Sequence, residues 1–136
     1  MASRIENGKT MLKMATRGFT LIELVVVMAI IALLLSLALP RYFNHLESAR
    51  ETILKQDLAV MRDAIDKYHG DRGRYPDSLD ELTNARYLRS LPVDPITERP
   101  DTWTIIAPPG DAAGAMYDIR SGAPGTALDG SNYADW

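Results

Sequence analysis

From Phe19 to Leu39 the chain carries 21 residues with a single charge, Glu23, and from Leu24 to Leu39 it has no charge, no Gly and no Pro. Nothing in that run interrupts a helix before Pro40. At a rise of about 1.5 Å per residue the run extends roughly 31 Å, enough to cross a hydrocarbon core of about 30 Å. Pro40 lacks an N–H and clashes with the preceding turn, so it predicts an end or a kink. Beyond it the pattern changes period. Leu54, Leu58, Met61, Ile65 and Tyr68 step by four, three, four and three residues, which is one face of an amphipathic helix. The opposite face carries Glu51–Lys55 and Asp63–Lys67, two i,i+4 pairs that read first as solvated surface. Gly70, with Gly73 close behind, is the predicted stop.

The remainder is punctuated by turn residues. Tyr75-Pro76 opens a turn, and Ser78-Leu79-Asp80-Glu81 fits an S-x-x-E capping box, predicting a short helix from about Leu79 to Asn84. Residues 87–95 read as an extended, proline-punctuated crossing. Trp103–Ala107 and Ala115–Arg120 are strands by their β-branched and aromatic content, joined across Pro108-Pro109-Gly110 and Gly114. Ser121–Trp136 is an irregular loop rich in Gly, Ala and Asp that ends in an aromatic anchor. Tyr68, Tyr75, Tyr87 and Tyr117 are assigned to core or domain packing. The predicted class is α+β: a long N-terminal helix, one half transmembrane and one half amphipathic, packed on a small antiparallel sheet.

Charge adds a direction. Residues 1–18 carry Arg4, Lys9, Lys13 and Arg17 against Glu6, a net of +3, whereas residues 19–136 carry a net of −6. A basic start ahead of an apolar run keeps the N-terminus in the cytoplasm and sends the acidic remainder across the membrane. A small residue follows a basic one at Arg17-Gly18, ahead of the apolar run. A cut there would remove a leader of residues 1–18 and retain 19–39 as a membrane helix and 40–136 as an exported domain; a plain signal anchor needs no cut. Glu23 bears on the choice, because an ionisable residue in a membrane segment costs on the order of 2.5–3.5 kcal/mol and usually has a partner. With Phe19 as a free N-terminus, Glu23 lies four residues along the same helix and can neutralise that amine or a neighbour's. Such pairing sets the axial register of packed helices.

Arg17-Gly18-Phe19-Thr20-Leu21-Ile22-Glu23-Leu24, followed by an apolar helix to Pro40, resembles the signal of type IV pilins and type II secretion pseudopilins. That resemblance implies cleavage between Gly18 and Phe19 by a prepilin peptidase, N-methylation of Phe19, and a retained helix that anchors the subunit and later packs in a filament core. Glu23 and Pro40 fall on the family's assembly positions. Tyr75-Pro76, Tyr87-Leu88, Leu91-Pro92-Val93-Asp94-Pro95, Tyr117 with Ser121-Gly122-Ala123, and the terminal Gly130–Trp136 are similar to the major pseudopilin of type II secretion. The family commonly continues Asp-Pro-Trp-Gly, whereas here Asp94-Pro95 leads into Ile96-Thr97.

The implied function is that of a structural subunit, not an enzyme, polymerising through its N-terminal helix to drive export of folded proteins across the outer membrane. Implied partners are further copies in a homopolymer, minor pseudopilins, the prepilin peptidase, an inner-membrane platform with a cytoplasmic ATPase, and an outer-membrane secretin. The implied location is the inner membrane, with a periplasmic domain and filament. A type IV pilin for adhesion, motility or DNA uptake, and a signal-anchored periplasmic binding domain that never polymerises, are the alternatives. The resemblance also implies a calcium ion in the C-terminal loop, where Asp129, Ser131, Asn132 and Asp135 supply oxygens and Ser121 adds its carbonyl. Pro124 stands where the family usually has a further Asp; ordinary turn formation is the competing reading of this loop.

Other chemistry finds little support. The chain has no cysteine, and its two histidines, His45 and His69, lie 24 residues apart in no zinc-binding spacing. Gly122–Gly125 leads into a loop rather than a helix, so it is no phosphate cradle. Net acidity gives no support to a nucleic-acid-binding domain.

Overall fold

The computed structural model describes residues 18–136. The leader expected over residues 1–18 therefore lies outside the described residues up to position 17. Two compact units are present, one ending at Leu39 and the other spanning Pro40–Trp136.

Helix α1 runs Leu21–Arg72. Its start is set by Thr20, whose hydroxyl accepts the Glu23 N–H at 3.2 Å while its carbonyl accepts the Leu24 N–H at 3.1 Å. Thr20-x-x-Glu23 is thus an N-terminal capping arrangement, and it places a carboxylate in the first turn, where the helix dipole favours negative charge. The helix does not end at Pro40. A proline removes one hydrogen bond, and the turns on either side supply many more. Nor does the helix stop at Gly70, since a glycine inside a helix costs only about 1 kcal/mol. It ends after Arg72 because Gly73 turns left-handed, at φ 69°, and donates its N–H to the His69 carbonyl at 2.9 Å.

In the unit Pro40–Trp136, α1 buries Leu54, Leu58, Met61, Ala64, Ile65 and Tyr68. These are the five positions of the predicted face plus one alanine. They form one cluster with Leu79, Leu82, Leu88, Trp103, Met116, Ile119, Ala123, Ala127 and Tyr133. Helix α2, Leu79–Asn84, has the expected cap: the Ser78 hydroxyl accepts the Glu81 N–H at 3.2 Å. The Glu81 carboxylate reaches back one residue further than the cap, to the Asp77 N–H at 2.7 Å. It also receives the Tyr68 hydroxyl and the Arg74 guanidinium, the latter at 2.6 Å. That set of donors lowers its pKa from 4.5 to about 2, the Asp77 N–H contributing most.

Strands β1, Thr104–Ile106, and β2, Asp118–Arg120, pair antiparallel with Ile105 opposite Ile119. They are shorter than the apolar runs that predicted them. The segment before β2 spends its hydrogen bonds elsewhere: the Tyr75 N–H donates to Ala113, and the Ala115 and Met116 N–H groups both donate to the Pro76 carbonyl. Gly114, at φ 106°, permits this close pass, because a Cβ there would strike the Tyr75 carbonyl. Tyr68 is fully buried and Tyr75 and Tyr87 are half-buried, but Tyr117 is 44% exposed, with its ring nearly perpendicular to that of Tyr75. His69 is half-buried and stacks on Tyr75 with ring centroids 4.1 Å apart.

Candidate functional site

Two regions carry the chemistry singled out above. The first is the start of α1. Gly18, Phe19 and every residue from Leu21 to Leu39 are exposed, Phe19 by 86%. The helix is long and apolar enough to cross a membrane, and none of its apolar window is buried within the chain. A water-soluble monomer rarely leaves so large an apolar surface bare. Glu23 sits on this exposed helix in its capped first turn, where its carboxylate faces outward from the chain.

The second region is the C-terminal loop. Asp129 Oδ1 accepts both the N–H and the hydroxyl of Ser131, at 2.9 and 2.6 Å. Ser131 Oγ in turn accepts the Trp136 indole N–H at 2.8 Å. The Asn132 amide donates to Asp135 at 3.4 Å. Ser121 belongs to a separate, buried link, donating to Asp94 Oδ2 at 2.7 Å while Asp94 Oδ1 accepts the Ile96 N–H at 2.8 Å. The side chains of the five residues expected around calcium therefore hydrogen-bond within the protein, Ser121 through its hydroxyl rather than through the carbonyl expected to face the ion. Among the described residues no group of three or more His, Cys, Asp or Glu side chains is placed to hold a metal ion. A calcium cage draws mainly on carboxylates, and this loop offers two, one of them already doubly hydrogen-bonded. The residues present do not make that cage.

The structure also reassigns Glu51 and Lys55. They were expected to form a solvated pair, as Asp63 and Lys67 do at 2.7 Å. Instead Glu51 Oε1 accepts the Leu128 N–H at 2.8 Å and the Tyr133 hydroxyl at 3.0 Å, and the Lys55 ammonium lies 4.5 Å over the Trp136 ring. Tyr133, only 4% exposed, is the buried aromatic of the tail; Trp136 is half-buried with its ring at an angle to Tyr133. Burial and the Glu51 carboxylate push the Tyr133 hydroxyl up to about 12.

A capped apolar helix with one carboxylate in its first turn, carried by a small α+β domain, defines a membrane-anchored, single-pass protein of the pilin-like class. The family model described as the prokaryotic N-terminal methylation motif matches residues 13–39. The chain is 35% identical to the type II secretion system core protein G of Klebsiella pneumoniae, over 58% of this chain and 68% of that protein. It is 30% identical to the Escherichia coli protein of the same name, over 79% and 81%. The fimbrial protein EcpC of Eikenella corrodens is 29% identical, over 89% and 82%. No solved structure matches the chain. The chain belongs to the type II secretion system core protein G family.

Proposed function

We propose that this protein is the major structural subunit of a type II secretion pseudopilus. The observation that carries the proposal is the wholly exposed apolar face of residues 21–39, with Glu23 at its capped start, in a chain so similar to core protein G. In this reading prepilin peptidase cuts between Gly18 and Phe19, and Phe19 is N-methylated. The net +3 of residues 1–18 holds the leader in the cytoplasm and delivers the domain to the periplasm. In the membrane the helix is solvated by lipid. On assembly the same surface is covered by helices of other copies in a head-to-tail arrangement that does not close, which yields a filament.

Glu23 decides the register. A carboxylate four residues from a free N-terminal ammonium is stabilised by that charge or by a neighbour's, far more strongly in apolar surroundings than in water. Subunits that pack out of register bury an unpaired charge, so the pairing selects one axial offset. The work is then mechanical rather than catalytic: a cytoplasmic ATPase and an inner-membrane platform add subunits, minor pseudopilins accompany the filament, and export proceeds through an outer-membrane secretin.

Similarity to the Eikenella fimbrial protein supports a second reading, a type IV pilin. Intact mass of the membrane-extracted protein tests what the two share. Loss of residues 1–18 with one added methyl supports a filament subunit, and an uncut chain points to a signal-anchored domain that does not polymerise.

A further inference from the structure

We propose that the C-terminal loop of this protein is fastened to α1 by Glu51, without calcium, and that the folded domain is therefore indifferent to calcium supply. The inference concerns the fold of the domain and does not depend on the pseudopilus reading.

Glu51 and Lys55 are one turn apart on α1, and both face the tail. One carboxylate oxygen takes two donors from far along the chain, the Leu128 N–H at 2.8 Å and the Tyr133 hydroxyl at 3.0 Å. Lys55 caps the Trp136 ring at 4.5 Å. The loop closes on itself between these points. The Ala127 N–H donates to Ser131 at 2.7 Å, Gly130 to Ala127 at 3.0 Å, Tyr133 to Gly125 at 3.3 Å, Asp135 to Asn132 at 3.1 Å and Trp136 to Tyr133 at 3.1 Å. Five loop carbonyls are thus in use as acceptors.

Three side-chain oxygens, Asp129 Oδ1, Ser131 Oγ and Asp135 Oδ2, accept hydrogen bonds as well. Asp129 holds Ser131, and Ser131 holds Trp136. Calcium needs six to eight oxygens around one point. Here Pro124 brings no carboxylate, and Ser121 is fully buried with its hydroxyl turned onto Asp94. A charged acceptor on a helix is a sufficient alternative fastening, because hydrogen bonds to an ionised group are stronger than neutral ones. It works only while both donors are protonated. The Tyr133 hydroxyl, raised to about 12, keeps its proton throughout the physiological range.

The test uses the full chain in detergent micelles, with chelator or with added calcium ion. Thermal unfolding and amide exchange at Leu128 and Tyr133 are followed for the wild type, Glu51→Ala, Tyr133→Phe and Asp129→Ala. The expected result is one melting temperature for the wild type with chelator and with calcium. Exchange at the two tail amides should rise about tenfold in Glu51→Ala and by a smaller factor in Tyr133→Phe, with no rescue by calcium. Tyr133→Phe keeps the ring in the core, so it reports on the clamp even where Glu51→Ala fails to fold. Two results overturn the proposal. One is a wild-type melting temperature that calcium raises by roughly 10 °C, as a ligand at about 100 times its Kd does for a domain of this size, with Asp129→Ala abolishing the rise. The other is unchanged tail exchange in both clamp variants.

Discussion

Two stretches of α1 carry apolar residues in different density and spacing, and they meet opposite fates. Along residues 21–39 every side chain is exposed, whereas along 54–68 six residues on one face are buried. The difference lies in spacing. The first stretch is apolar all round, so no single face can be satisfied by a small domain, and its partners lie outside the chain in lipid or in other copies. The second alternates with Lys55, Asp63 and Lys67 at helical period, so its apolar face closes against the chain's own α2, sheet and tail. One helix therefore does two jobs, and only the second contributes to the stability of the isolated chain.

The sharpest way to break that comparison is to truncate one residue in each stretch. Ile65→Ala should lower domain stability by about 2–5 kcal/mol, as buried large-to-small changes do. Leu33→Ala should leave the thermal midpoint of the domain where it was and weaken only the association of copies in the membrane. Equal destabilisation by the two would mean that residues 21–39 pack against the rest of the chain after all.

Glu23→Gln sharpens the first half. The variant keeps the helix and its Thr20 cap but cannot pair with an ammonium. It should remain in the membrane, be cut normally, and yield few filaments by electron microscopy. A filament yield equal to wild type would remove the register argument.

A smaller effect is expected at the edge of the second half. Arg62 donates from Nε to Asp118 Oδ1 at 2.9 Å and from Nη2 to the Ile119 carbonyl at 2.9 Å, tying α1 to β2. Both side chains are about a third exposed, so Arg62→Ala should cost on the order of 1 kcal/mol in chemical denaturation, with membrane anchoring unchanged.

The last effect is one of pH. Glu81 is held at about 2 in the folded domain against an ordinary 4.5, so its ionised form stabilises the fold. That contribution is complete above about 4.5 and is lost as pH falls from there toward 2. Glu81→Gln should flatten the acid limb of the melting curve in that window and leave the neutral region nearly unchanged in slope.

Much of this architecture is legible in the chain because it is local. The apolar run, the four-three-four-three face and the Ser78–Glu81 box each declare themselves within a few turns, and each appears where its spacing places it. Thr20-x-x-Glu23 has the same spacing and the same hydroxyl-to-N–H cap, but Glu23 draws attention as an isolated charge in an apolar run, and its place at a helix start is easily passed over. Long-range partners are not legible. Glu51–Lys55 has the same i,i+4 form as Asp63–Lys67, and nothing local says that Glu51 will meet residues 77 and 82 positions away while Asp63 meets only Lys67. The loop oxygens mislead for the same reason: composition records that Asp129, Ser131, Asn132 and Asp135 are close, but not that they face one another. Gly70 and Gly73 differ only in which one takes a positive φ, which depends on where the buried face ends at Tyr68 and not on the glycines themselves.

The central claim is that the exposed apolar half of α1 serves a secretion filament. It is tested most directly by the culture-supernatant proteome of a strain lacking this chain, re-supplied with either the wild type or Glu23→Gln. The account predicts that a defined set of folded exoproteins disappears, returns with the wild type, and does not return with Glu23→Gln although that variant is anchored in the membrane. A supernatant unchanged by loss of the chain would contradict it.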